Sequence, residues 1–126
     1  MTNITDNDIL MTKGNDRLYV DLKCGYGQPS VTTIYLKKNN GTTEKIKSFD
    51  NNTERLEIGR VDDLKFNEID IHTTIHDVRD NPVEKEDISL DIKVYEKDSS
   101  SVDTGFTKKT KGKGTVFHSF YSVIIL

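Results

Sequence analysis

A two-residue alternation of apolar and polar side chains runs from Arg17 almost to the last residue, and it restricts this chain to one structural class. Its cleanest stretch is Ile69-Asp70-Ile71-His72-Thr73-Thr74-Ile75-His76. There Ile69, Ile71 and Ile75 share one face with Thr73, and Asp70, His72, Thr74 and His76 share the other. Side chains of a strand swap faces at each step, so the pattern buries one face and wets the other. Ile88-Ser89-Leu90-Asp91-Ile92-Lys93-Val94 repeats it without a break. The class is all-β.

Turn residues divide the alternating runs. Leu18, Val20 and Leu22 share a face of one strand, which Gly25, Gly27 and Pro29 end. Val31 to Lys38 and Thr42 to Phe49 flank Asn39-Asn40-Gly41, the strongest hairpin signal, because Asn and Gly accept the positive φ of a tight reversal. A short strand carries Leu56 and Ile58. Between Leu64 and Val78 the apolar phase slips at Asn67-Glu68, which predicts a bulge or a sharp bend. Ile88 to Tyr95, a short edge strand at Val102 to Phe106, and Thr115 to Leu126 complete the set. No stretch keeps helical spacing over three turns. The expected fold is a single-domain antiparallel β-sandwich of about seven to nine strands. It spans residues 16–126, preceded by a polar N-terminal arm over 1–15 whose Ile9-Leu10-Met11 patch is placed to dock on a sheet edge.

Composition narrows the function classes. With 33% apolar residues, 31% charged residues and no Trp, the core is thin, as two facing sheets with solvated outer faces require. Eighteen basic and 21 acidic residues give a net charge of −3, which argues against a nucleic-acid partner. Cys24 is the one cysteine, so no intrachain disulfide forms. The acidic, polar start lacks the basic and apolar regions of a signal peptide, and the apolar run Val123 to Leu126 is far too short to cross a bilayer. A protein without an integral membrane segment is expected, cytoplasmic or exported without a cleaved signal peptide.

Motifs for chemistry are weak. His72 and His76 point the same way from one strand but stand ~13 Å apart, too far to share a metal held at ~2.1 Å, and His118 reaches them only from a neighbouring strand. Asp62 and Asp63 at one turn, and Asp77, Asp80, Glu84, Glu86 and Asp87 at another, are a candidate calcium cluster. Arg79 and Lys85 interrupt it, and no EF-hand loop is present. The basic run Thr107 to Gly114 contains Gly-Lys, but Gly114 stands where a P-loop needs a hydroxyl, and lysines that guard a sheet edge explain the run better. Cys24 lacks a partner motif for nucleophilic chemistry. Asn3, Asn40 and Asn51 head glycosylation-type triplets that composition alone accounts for. Tyr19, Tyr26, Tyr35, Tyr95 and Tyr121 are scattered rather than grouped as a sugar platform. No enzyme activity and no cofactor is expected.

The final strand is different. Val116, Phe120, Ile124 and Leu126 take one face, while Phe117, Tyr121, Val123 and Ile125 take the other, so it is apolar on both. One such face belongs to a core, and the other needs a cover. The sequence therefore points to a non-catalytic binding or structural protein in a protein-protein assembly, joined to a protein partner or to further copies of itself. Phe117, Tyr121, Val123 and Ile125 are the expected contacts, with Tyr95 as a neighbour. The alternative is a calcium-dependent module that binds a ligand or a membrane surface through the acidic loops.

Overall fold

The computed structural model describes residues 2–13, 17–24, 29–76, 87–96, 104–111 and 116–126, with side chains described outside 2–4, 87–89 and 104–111. The strands are β1 (Thr2–Leu10), β2 (Arg17–Cys24), β3 (Ser30–Lys37), β4 (Thr43–Asp50), β5 (Thr53–Arg60), β6 (Glu68–His76), β7 (Asp87–Glu96), β8 (Thr104–Lys111) and β9 (Val116–Ile125). One short helix, α1 (Val61–Leu64), lies between β5 and β6. A five-stranded sheet in the order β1-β9-β6-β3-β4 faces a four-stranded sheet in the order β5-β2-β7-β8. The expected all-β sandwich is what forms.

Alternation dictates which side chains meet between the sheets. Leu18, Val20 and Leu22 of β2 and Leu90, Ile92 and Val94 of β7 face Ile34, Ile69, Ile71 and Ile75 of β3 and β6. The hairpin expected around Asn39-Asn40-Gly41 joins β3 to β4, with Gly41 at φ +92°. The phase slip before Glu68 is a sharp bend: α1 closes with Leu64 buried, and Phe66 takes φ +68° before β6 begins. A bulky residue in the left-handed region carries strain. Two backbone bonds hold it there, from the Phe66 N–H to the Ile125 carbonyl at 2.6 Å and from the Ile125 N–H to the Asn67 carbonyl at 2.9 Å.

The segment expected as an arm is an integral strand. β1 pairs in parallel with β9 from Thr2↔Phe117 to Leu10↔Ile125, so one ladder departs from the antiparallel expectation. Antiparallel neighbours are joined by tight turns that leave marks in sequence, whereas this pair joins the two ends of the described chain. Leu10 is buried, and the N–H and hydroxyl of Thr12 both donate to the Leu126 carbonyl at 2.7 Å. The Lys13 N–H donates to the buried Glu96 carboxylate at 2.6 Å. Most of the basic run expected as a loop belongs to β8, an edge strand that includes Lys108, Lys109 and Lys111.

With β1 on one edge and β6 on the other, β9 is an inner strand. Its Phe117, Tyr121, Val123 and Ile125 are between 0% and 2% exposed and sit in the core. Those four were the expected contact residues, so the contact face inferred from the sequence is the core face. The register explains it: they stand opposite Ile75, Ile71, Ile69 and Leu10, the inward set of β6 and β1. The Tyr121 hydroxyl donates to Asp8 at 2.6 Å, and burial together with that bond holds the phenol well above its ordinary range.

Two predictions follow from this packing. Ile125→Asp places an unpaired carboxylate in the core and abolishes the folded near-UV circular dichroism signal, whereas Phe120→Asp, on the outward face, retains it. The Thr32 and Thr73 hydroxyls, both buried, bond each other at 3.0 Å across β3 and β6. Thr73→Val alone strands its partner and lowers stability in urea by ~1–3 kcal/mol, and adding Thr32→Val recovers most of that loss.

Candidate interaction face

Register turns the outward residues of the five-stranded sheet into rows. Ile9, Ile124, Glu68 and Lys37 form the first, across β1, β9, β6 and β3. Asn7, Ser122, Asp70 and Tyr35 form the second, and Thr5, Phe120, His72 and Thr33 the third. His118, Thr74 and Val31 follow on β9, β6 and β3, and Val116 opposite His76 closes the face.

The middle of this face is aromatic. The Tyr35 and His72 rings lie 5.0 Å apart, and His72 meets Phe120 edge-on at 5.0 Å. Phe120 stacks on His118 at 6.3 Å, and the His118 Nδ1 shares a 3.0 Å hydrogen bond with the Thr74 hydroxyl. These half-buried rings make a continuous band over three strands, of the kind that favours offset and edge-to-face contact. Large apolar side chains surround it: Ile9, Val31 and Ile124 stand on the face 56%, 47% and 39% exposed, and Phe66 projects beside it at 62%. Phe66 and Ile124 also wall a cleft of about 240 Å³ with Lys37, Lys38 and Glu68.

Few charges interrupt the rows. On β1, β3, β6 and β9, the outward formal charges among the residues with described side chains are Lys37, Glu68 and Asp70. A hydrogen bond to Asp70 pushes the Glu68 carboxyl up, and burial adds to it. The edge strand β4 adds Glu44, Lys45, Lys47 and Asp50, and charges on an edge strand discourage edge-to-edge pairing.

The outer face of the four-stranded sheet is built differently. Arg17 and Glu57 form an exposed ion pair at 2.6 Å, and Lys23, Asp91 and Lys93 point to solvent. Tyr95 lies here, stacked on Tyr19 at 5.9 Å, with its hydroxyl donating to Asp21 at 2.8 Å. Asp21 also accepts the Arg55 N–H at 2.7 Å. Tyr95 is thus on the opposite sheet from the strand it was expected to accompany, because β7 pairs with β2 and β8 rather than with β9.

Asp62 and Asp63 sit exposed on α1, whereas Asp77, Asp80, Glu84 and Glu86 lie outside the described residues, as does the side chain of Asp87. Among the described residues no group of three or more His, Cys, Asp or Glu is arranged to hold a metal ion. Cys24 is buried, its thiol 3.3 Å from the Ser30 hydroxyl, and burial pushes that thiol up. A raised thiol is a poorer nucleophile. No helix among the described residues is long and apolar enough to cross a membrane. No protein-family model, curated protein or solved structure matches the chain.

The outward set of Tyr35, His72, Phe120 and Ile124 differs from the contact set expected from the sequence. The outward phase of His72 and the shared face of Val116, Phe120 and Ile124 were visible, but the register that joins them to Tyr35 is a long-range property.

Burial and the Asp21 hydrogen bond push the Tyr95 phenol up to about 12. The folded protein therefore keeps this proton when the unfolded chain, near 10, has lost it, and the stabilisation present below pH 10 disappears as pH rises toward 12. Absorbance titration of tyrosinate shows a late step near pH 12, which Tyr95→Phe removes.

Proposed function

We propose that this protein is a non-catalytic binding or structural component of a protein assembly, and that it engages its partner through the outer face of the five-stranded sheet. One observation carries the reading: a ring-to-ring band from Tyr35 through His72 and Phe120 to His118 occupies the middle of a sheet face poor in charge. Interface cores are depleted of charged residues and enriched in aromatic ones, and their anchoring residues cluster near the centre. The opposite face, with its exposed ion pair and lysines, has the composition of a solvated surface.

The chemistry of association is burial of apolar area, at roughly 25 cal/mol per Å² before ordering costs. Half-buried rings that already contact one another lose little side-chain freedom on binding, which favours them as anchors. Capture from an extract of the cells that make the protein tests the reading. The wild-type chain and a Lys23→Glu control on the opposite face retain the same bound chain, and Phe120→Asp loses it by about tenfold or more. Equal capture by all three baits rules the face out.

A further inference from the structure

A two-fold operation lays the rows of this face on those of a second copy. Turning the face end over end about an axis that crosses the strands at the Thr5–Phe120–His72–Thr33 row lays each strand antiparallel on its own copy. That operation sets Ile124 opposite Val116 of the copy, Tyr35 opposite Val31, and the acidic Glu68 opposite His76. Phe120 and His72, on the axis, meet themselves. Ile124 then packs on Val116 and Tyr35 on Val31, while Asp70 meets Thr74 and Ser122 meets His118. A two-fold axis lying in the contact plane is the operation by which two identical sheets pack face to face.

Four strands spaced ~4.8 Å apart and about ten residues long, at ~3.3 Å each, project about 600 Å², and side-chain relief raises the accessible area further. A stable dimer needs ~800 Å² from each partner, about a tenth of a small protein's surface, and this chain exposes 7186 Å². The face is a sheet surface rather than a groove, so another sheet is its geometric complement, packed at a spacing of ~10 Å. Aligned sheets cross at about 30°, which leaves the axial row in place and moves the end rows by about one strand spacing. Glu68 and His76 of the copy remain within a Debye length of ~10 Å.

We infer that the occupant of this face is a second copy of the same chain, in a two-fold dimer with Phe120 and His72 at the axis and Glu68 of each copy facing His76 of the other. This rests on the interaction-face reading above and names its partner.

Charge reversal tests the geometry with sedimentation equilibrium of the purified chain at concentrations on the order of 100 μM. Within one chain Glu68 and His76 stand at opposite ends of β6, roughly 26 Å apart, so they influence each other only across the dimer. Wild type sediments as a dimer, Phe120→Asp as a monomer with an unchanged circular dichroism spectrum. Glu68→Lys and His76→Glu each weaken association, and the Glu68→Lys/His76→Glu double variant restores it. A monomeric wild type, a dimer indifferent to Phe120→Asp, or a double variant as weak as its singles combined overturns the inference. A monomeric wild type whose extract capture still depends on Phe120 removes the second copy and leaves the interaction face standing. Capture indifferent to Phe120 removes the face itself.

Discussion

The structure depends on one strand that is apolar on both faces. β9 is paired along both edges, in parallel by β1 and antiparallel by β6, and apolar residues occupy both of its faces. The inner face supplies Phe117, Tyr121, Val123 and Ile125 to the core shared with the four-stranded sheet. Once the inner set is committed to that core, the outer set of Val116, Phe120 and Ile124 has only the molecular surface left. The rest of the outer face follows from its neighbours, since the β6 ladder brings His72 to Phe120 and the β3 ladder brings Thr33 and Tyr35 beside it.

The two edges of β9 are secured differently. The β6 ladder brings a matching run of inward isoleucines, so its stability lies in apolar burial. The inward positions of β1 whose side chains are described are Asp6, Asp8 and Leu10. Polar anchors tie it down instead: Asp8 takes the Tyr121 hydroxyl, Thr12 bonds the Leu126 carbonyl twice, and Lys13 reaches the buried Glu96. Inward carboxylates on an edge strand also oppose the addition of further strands.

Class and most element positions were legible in the sequence because alternation is local: β2, β3, β4, β6, β7 and β9 lie where the two-residue period and the turn residues put them. What could not be read was long-range. Nothing local marks Thr2 to Leu10 as the parallel partner of β9, and a strand apolar on both faces gives no sign of which face the second sheet will cover. The expected contact residues of β9 therefore lie in the core, on one of the two apolar faces that the alternation shows. Tyr95 was misplaced for the same reason, since membership of one sheet or the other is decided by pairing. α1 escaped detection because four residues cannot display a helical period.

Two phenylalanines three residues apart divide β9, with Phe117 in the core and Phe120 on the outer sheet face. Hydroxyl-radical footprinting of β9, read residue by residue at low and high protein concentration, addresses both at once. The account predicts that Phe117 is protected throughout, while Phe120 is oxidised in dilute protein and becomes protected as concentration rises. Oxidation of Phe117 in the folded chain, or labelling of Phe120 that ignores concentration, would contradict it.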